Sequence, residues 1–402
     1  MRVKIEDLTP PIYLTPFTAL SALMYHALKN YGIPVAGFCD NNKALHGEFY
    51  DDCKILPPPE MIGAGEEPTV IICAYYTQIR PQMRRLGINR LITLEQVLTK
   101  NHVAAALSML DKKRVSDLAP KQMIRLAHID HEIRKFILPD AALTDDSFIL
   151  PYVEMPVTEK CTLKCAYCSN LMQYFKSPRH IEFEQLCADF DCLMKNVDFV
   201  RLLKIIGGEP FLHPKLPSLI SYFSKNRDKY GSFQLTTNGT VIPDDKTMRV
   251  MKDADIYVLI SDYGELSANC SKLVRKLDEF GIAYQLLDNL TWRDVMRIVD
   301  ESDTREARTV FDECTMTCFT VKNGRFYYCP FLAQGETLMA FPYDIKNHVV
   351  LDASCLKDDI RSYFESNEAP PGCKYCSGFS EANMVIPVAR QVGKPLEFAR
   401  KG

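Results

Sequence analysis

The chain has 402 residues, 47% of them hydrophobic and 25% charged, with a formal net charge of -3. That length asks for two or three domains, since single cores stop growing at about 250–300 residues, and the charge gives no electrostatic reason to expect nucleic acid or an anionic membrane as a partner. The amino terminus, Met1-Arg-Val-Lys-Ile-Glu-Asp7, has no signal-peptide core and no apolar run approaches a membrane span, so a soluble cytoplasmic protein is expected.

In chain order, Ile12–Leu14 reads as a short strand, and Leu20, Leu23, Met24, Ala27 and Leu28 recur at helical spacing. Val35–Cys39, Thr69–Ala74 and Gly87–Ile92 read as further strands. Strands alternating with helices predict a small parallel, Rossmann-like sheet over residues 1–100. Asp40, ending the second strand, stands where a ribose contact would lie, but the first turn, Thr15-Pro-Phe-Thr18, lacks the glycine fingerprint of a dinucleotide site. A docking or structural role is as consistent with this degenerate module as ligand binding. Residues 101–147 are mostly helical in pattern, with Leu126, Ile129, Ile133, Phe136 and Ile137 on one face, and read as a connector; His128 and His131 on it read as surface or packing residues.

A strand-like run, Tyr152–Val157, then leads into Cys161-Thr-Leu-Lys-Cys165-Ala-Tyr-Cys168-Ser-Asn170. In a large cytosolic chain with 15 cysteines, ligation of metal is a better expectation than disulfides. Three thiolates fill three corners of a 4Fe–4S cube and leave one iron open, whereas an electron carrier normally closes its cluster with a fourth cysteine. A zinc knuckle is the alternative, but zinc wants a fourth close ligand and His180 is distant in sequence.

This spacing, with the aromatic Tyr167 before the last cysteine, resembles the radical S-adenosylmethionine enzymes. The resemblance implies that Cys161, Cys165 and Cys168 hold the cluster. It also implies that S-adenosylmethionine chelates the open iron and yields a 5′-deoxyadenosyl radical, with a flavodoxin- or ferredoxin-type protein as reductant. The cofactor carries the hard chemistry; the protein binds, orients and excludes side reactions.

From residue 148 to 305 the chain repeats strand then helix, with strands at Tyr152–Val157, Leu202–Ile206, Phe233–Thr236, Ile256–Ile260 and Ala283–Leu287. The helix from Ile181 carries Phe183, Leu186, Cys187, Phe190, Met194 and Val197 on one face. The fold class is therefore α/β with parallel strands, and the resemblance makes it a partial (β/α)6 TIM-like barrel with its chemistry at the strand carboxyl ends. Gly207-Gly208-Glu209-Pro210 ends the second strand. Such glycines allow close approach of a ligand, and the glutamate can accept from an amine. The resemblance assigns these residues to the methionine moiety, and assigns Thr237, Asn238 and Ser261, at the next strand ends, to the rest of the cosubstrate.

Glu154 and Lys204 are charges inside apolar strands, expected to pair whether they serve structure or substrate. Asp262 and Tyr263, past a strand end, are candidates for substrate contact or deprotonation. Trp292, the lone tryptophan, reads as a core anchor before a sugar-stacking residue.

Residues 306–402 hold Cys314, Cys318, Cys329, Cys355, Cys373 and Cys376. Apolar alternation around Asn323-Gly324 predicts a hairpin with Cys318 and Cys329 at its ends. With the Cys373–Cys376 pair, four thiolates suffice for one 4Fe–4S cluster or one zinc. The pattern resembles the twitch form of the SPASM auxiliary-cluster domain, whose ligands map onto Cys318, Cys329, Cys373 and Cys376, with Cys314 a substitute for Cys318. The expected activity is oxidation of an alcohol carbon in a sugar, cyclitol or nucleotide-linked sugar. Redox-neutral epimerisation, with Cys270 or Cys355 as hydrogen donor, and peptide modification are the alternatives, and a plain electron carrier is the non-enzymatic one.

Overall fold

Parallel strands paired through long crossovers organise both halves of the chain. In a computed structural model, residues 3–398 are described apart from 63–65, 75–78, 120–128, 130–132, 134–146, 289–290, 317, 367 and 381–382. The chain divides into two compact units, Met1–Ser147 and Phe148–Gly402. The boundaries expected at 100/101 and at 305/306 are not seams between compact units. Residues 101–147 go with the first unit, and the carboxyl-terminal cysteine region shares the sheet of the second. Among the described residues no helix is long and apolar enough to cross a membrane.

The first unit is built on β1 (Ile12–Thr15), α1 (Ala19–Asn30), β2 (Gly37–Cys39), β3 (Phe49–Tyr50), β4 (Cys53–Leu56), β5 (Thr69–Ile72) and β6 (Leu91–Thr93). The strand order is β3-β4-β2-β1-β5-β6, all pairs parallel except β3 with β4. The parallel strands thus follow the 3-2-1-4-5 order of a doubly wound sheet. Sequence reading missed β4, whose Cys53-Lys-Ile-Leu56 is too short to give a period, and began the last strand too early. Asp40 is engaged by backbone amides of its own unit. Its carboxylate accepts from the Phe17 amide (2.9 Å) and the Asn42 amide (2.7 Å), tying two turns together. Thr18 caps α1 in a reciprocal box with Ser21. His128, His131, Leu126, Phe136 and Ile137 lie outside the described residues, while Ile129 and Ile133 are buried in this unit's core.

In the second unit, β7 (Ile149–Leu150) and β8 (Val153–Pro156) are followed by α2 (Phe183–Asn196), β9 (Phe199–Ile206), α3 (Leu216–Phe223), β10 (Tyr230–Thr237), α4 (Asp245–Asp253), β11 (Tyr257–Ser261), α5 (Cys270–Phe280) and β12 (Tyr284–Leu287). β8 to β12 are parallel sequential neighbours. One sheet face carries Val153, Met155, Leu203, Ile205, Phe233, Leu235, Val258 and Ile260, packed on apolar residues of α2 to α5. Phe190 and Phe223 stack there at 4.4 Å between ring centroids, each contributing about 1.5–3 kcal/mol by burial.

β13 (Trp292–Arg293) lies apart, and the sheet then continues in a way the repeat does not foretell. β14 (Phe319–Lys322) does not extend the sheet beyond β12; it pairs in parallel with β8, on the other side of the first strand. It turns through Asn323 (φ 51°) and Gly324 (φ 75°) into antiparallel β15 (Arg325–Tyr327). Two successive positive φ angles make the type I′ turn that an Asn-Gly pair favours. α6 (Pro330–Leu338) follows, β16 (His348–Val350) closes that edge, and β17 (Val385–Ile386) pairs with β13.

Candidate functional site

The carboxyl ends of β9, β10 and β11 open onto a cavity of about 440 Å³. Its wall contains Cys161, Cys165, Tyr167, Cys168, Asn170, Gly207, Gly208, Thr236, Thr237, Asn238, Ser261 and Tyr263. Residues distant in the chain, among them Trp292, Arg293, Phe379 and Ser380, complete it. Three strand-end segments and the cysteine loop therefore meet at one place, as expected of parallel α/β sheets.

The cysteine loop is held tightly against the end of β9. The Gly208 amide donates to Thr158 O and the Glu209 amide to Lys160 O, both at 2.8 Å. A Cβ on Gly207 would stand 2.4 Å from Thr158 O, and one on Gly208 2.2 Å from Lys160 O. The two glycines thus admit the backbone of the cysteine loop as well as reaching the cavity. Gly208→Ala is expected to push the loop off the strand, costing about 1–3 kcal/mol and most of the cluster content, as read by melting temperature and iron analysis of the purified variant.

Glu209 is turned away from the cavity. Fully buried, it accepts from Thr237 Oγ1 (2.9 Å to each oxygen), the Asn238 amide (2.9 Å) and the Phe211 amide (3.1 Å). Burial pushes its carboxyl up to about 7 against those donors. In this geometry the Glu209 carboxylate ties the end of β9 to the end of β10 and is not on the cavity wall. Thr237 likewise spends its hydroxyl on Glu209. Asn238 donates through Nδ2 to Cys161 Sγ (3.5 Å) and Thr162 Oγ1 (3.1 Å).

The candidate catalytic residues separate into different places. Tyr263 lines the cavity, edge-on to Trp292 at 5.6 Å, so the tryptophan is part of the wall and not a core anchor. Asp262 is not on that wall; its Oδ1 accepts the Gly264 amide at 2.9 Å and caps the turn. Glu154 and Lys204 stand opposite each other in register, deeper in the sheet. They are joined through the Tyr152 hydroxyl, 2.9 Å from Lys204 Nζ and 3.4 Å from Glu154 Oε2, while Thr320 Oγ1 donates to Glu154 Oε1 at 3.2 Å. Burial raises the Glu154 pKa, and Lys204 opposes that rise. Cys270 and Cys355, the candidate hydrogen donors, are buried in the core away from the cavity wall.

The carboxyl-terminal cysteines regroup. Cys314 helps push up the thiols of Cys318, Cys329, Cys373 and Cys376 alike, after the larger effect of burial. Cys318 also faces Glu154, whose charge helps push its thiol up after the larger effect of burial. Strand alternation is the reason: position 318 shares its side of β14 with Thr320 and Lys322, both bonded to glutamates on the inner face. Cys314 thus acts on Cys318 as on the others, and either is a candidate for the fourth position beside Cys329, Cys373 and Cys376.

The residues present fit a cluster and its cosubstrate. All three thiols of the loop are free and line one cavity. Cys161 receives the Leu163 amide, and Cys168 the amides of Asn170 and Met172. Two buried polar atoms on the wall, Asn170 Oδ1 and Thr236 Oγ1, have no protein partner. Among the described residues no group of three or more His, Cys, Asp or Glu side chains already stands at metal-binding distances, so the fit rests on the donor set.

Residues 155–261 match the family model of the Radical SAM superfamily. A probable GTP 3′,8-cyclase of Methanococcus maripaludis is 35% identical over 106 residues, 25% of this chain and 32% of that protein. The GTP 3′,8-cyclase of a Sulfurovum species is 27% identical over 139 residues, 34% of this chain and 41% of its own. The chain thus spans well under half the length of these curated relatives. Among solved structures, BtrN with AdoMet and 2-DOIA is similar at 14% identity and a TM-score of 0.35, covering 61% of this chain and all of that one. AnSMEcpe with bound AdoMet is similar at 16% identity and a TM-score of 0.38, covering 55% of this chain and 81% of that one. The superfamily binds a 4Fe–4S cluster and S-adenosylmethionine. Residues 155–261, which contain the cysteine loop and the strand ends that hold it, are thus similar to the radical S-adenosylmethionine domain.

Proposed function

We propose that this protein is a radical enzyme that abstracts a hydrogen from an alcohol carbon of a small polyhydroxylated substrate and carries out a net oxidation. The sheet is read as a partial barrel around the cavity. The observation that carries the oxidative reading is the second group of thiols, Cys314, Cys329, Cys373 and Cys376, in the same unit as the first. Four thiolates close a cluster completely and suit it to accepting an electron instead of binding substrate.

When bound, the first cluster and S-adenosylmethionine supply a carbon radical that takes a hydrogen atom. Cys161, Cys165 and Cys168 would hold that cluster. Gly207, Gly208, Asn238, Ser261 and Tyr167 stand on the wall where the cosubstrate would lie, with Asn170 Oδ1 and Thr236 Oγ1 offering unused polar atoms. The Tyr263–Trp292 pair gives an aromatic wall, and Arg293 is the one charged Asp, Glu, Lys or Arg residue on the described wall. Such a surface suits neutral hydroxylated rings, whose C–H faces lie on aromatics while hydroxyls meet polar groups. A sugar, a cyclitol or the sugar ring of a nucleotide-linked sugar fits that description, and Glu154 and Lys204 remain candidates for gripping it from below. A ferredoxin- or flavodoxin-type reductant is part of the proposal.

The likeness to GTP 3′,8-cyclases favours a second reading, a redox-neutral radical rearrangement, but it covers at most the cosubstrate-binding third of the chain. The two readings separate with a substrate deuterated at the carbinol carbon, turned over anaerobically with S-adenosylmethionine. Deuterium is expected in 5′-deoxyadenosine together with an equal amount of ketone. In Cys314→Ala the deuterium transfer should persist while ketone yield falls about tenfold, and Cys318→Ala should keep the second cluster. A product at the oxidation level of the substrate would overturn the oxidative reading.

A further inference from the structure

The segment after residue 378 returns to the cysteine loop. Residues 292–299 run antiparallel to 375–380 and 383–386, through the β13–β17 pair, the Asp294 amide on Met384 O (2.9 Å) and the Met296 amide on Gly378 O (2.9 Å). Beyond β17 the chain lies along the loop itself. The Ala166 amide donates to Arg390 O at 2.7 Å, the Val392 amide to Lys164 O at 2.8 Å, and Cys165 pairs with Gln391 in an isolated antiparallel bridge. Farther on, the Leu396 amide meets Gln173 O at 2.8 Å and Phe398 packs edge-on against Tyr174 at 5.3 Å.

The Gln391 side chain is fixed at both ends of its amide. Oε1 accepts from the Lys164 amide at 2.7 Å, and Nε2 donates to Ala389 O at 2.7 Å and to Cys165 Sγ at 3.2 Å. The donors to Cys161 and Cys168 include amides of the same loop. Cys165, by contrast, receives a side-chain donor from 226 residues downstream. Hydrogen bonds to cluster sulfurs stabilise the reduced, more negative state and so raise the reduction potential.

We propose that the carboxyl-terminal segment is a strap that positions Gln391 as a hydrogen-bond donor to the Cys165 thiolate, and that Gln391 thereby raises the reduction potential of the cluster held by Cys161, Cys165 and Cys168. The proposal rests on the cluster reading of the loop. Gln391 is a positioning residue, acting through a sulfur and touching no reacting atom.

Its test is a potentiometric titration of the reconstituted full-length protein, followed by electron paramagnetic resonance. The signal that changes on adding S-adenosylmethionine identifies the cluster with the open iron. Gln391→Leu removes the donor, while Gln391→Glu keeps the acceptor for the Lys164 amide but cannot donate when ionised. At a fixed potential the reduced-to-oxidised ratio of that cluster is expected to fall up to about tenfold in the first variant, the change that corresponds to 59 mV in a one-electron couple, and further in the second. Iron content should stay at the wild-type level, since Gln391 is exposed and fills no core volume. An unchanged midpoint in both variants would overturn the proposal, even if iron loading or melting temperature fell, because a purely structural strap moves those readouts alone. If the wild type shows no signal responsive to S-adenosylmethionine, the cluster reading fails, and the proposal with it.

Discussion

Replacing Cys161, Cys165 and Cys168 together by alanine is expected to lower the iron content of the reconstituted protein from about eight atoms per chain to about four, and to bring 5′-deoxyadenosine formation down to background. The two effects have different causes. Loss of iron follows from removing three ligands that share one cavity wall. Loss of product follows because a second cluster held by four cysteine thiolates would leave no iron open to a cosubstrate. Iron analysis and chromatography of the nucleoside product after anaerobic reduction measure both. A variant that still forms 5′-deoxyadenosine would move the radical chemistry to another site.

The second large effect concerns stability. Lys322 on β14 is 1% exposed, and its ammonium lies 3.0 Å from Glu159 Oε1, 2.5 Å from Gln334 Oε1 and over the Phe175 ring at 5.3 Å. Burial lowers its pKa, and Glu159 opposes that shift. Glu159 Oε2 also accepts the Arg179 amide at 3.2 Å, so the carboxylate joins the segment entering the cysteine loop to β14. Lys322→Met strands that carboxylate without its cation, and breaking a buried pair in this way costs about 3–5 kcal/mol. For a body of this size the melting temperature is expected to fall by about 10 °C. Lys322→Met combined with Glu159→Gln should recover part of the loss, since the stranded charge is then gone. Calorimetry of the two variants against the wild type checks this, and a shift below 2 °C for Lys322→Met would mean that the pair contributes little.

These two regions differ in how far they could be read from the chain. Cys161, Cys165, Cys168 and the preceding strand are a local pattern, because a cluster loop takes its ligands from a few consecutive residues. The same holds for the Asn323-Gly324 hairpin, where two residues determine the turn type, and for Phe183–Asn196, where the apolar residues repeat at helical spacing. Each depends on interactions within a dozen residues, so a period or a spacing carries it.

Glu209 shows where that legibility stops. Its neighbours Gly207 and Gly208 do reach the cavity, but the carboxylate turns the other way, toward donors at the end of β10 and just past it, 28 and 29 residues along. Cys318 was similarly readable as half of a hairpin pair. That its thiol faces Glu154 depended on β14 pairing with β8. Residue spacing alone determined the cysteine loop, the strand–helix repeat and the residue classes at the strand ends. The tertiary structure decided the place of β14 beside the first strand, the burial of Glu209 and Lys322, and the return of Gln391 to Cys165. The physical reason is that periodicity records which face of an element is apolar, whereas a buried polar group is placed by its need for a partner. That partner arrives from wherever the chain happens to pass, 163 residues away for Lys322 and Glu159 and 226 for Gln391 and Cys165.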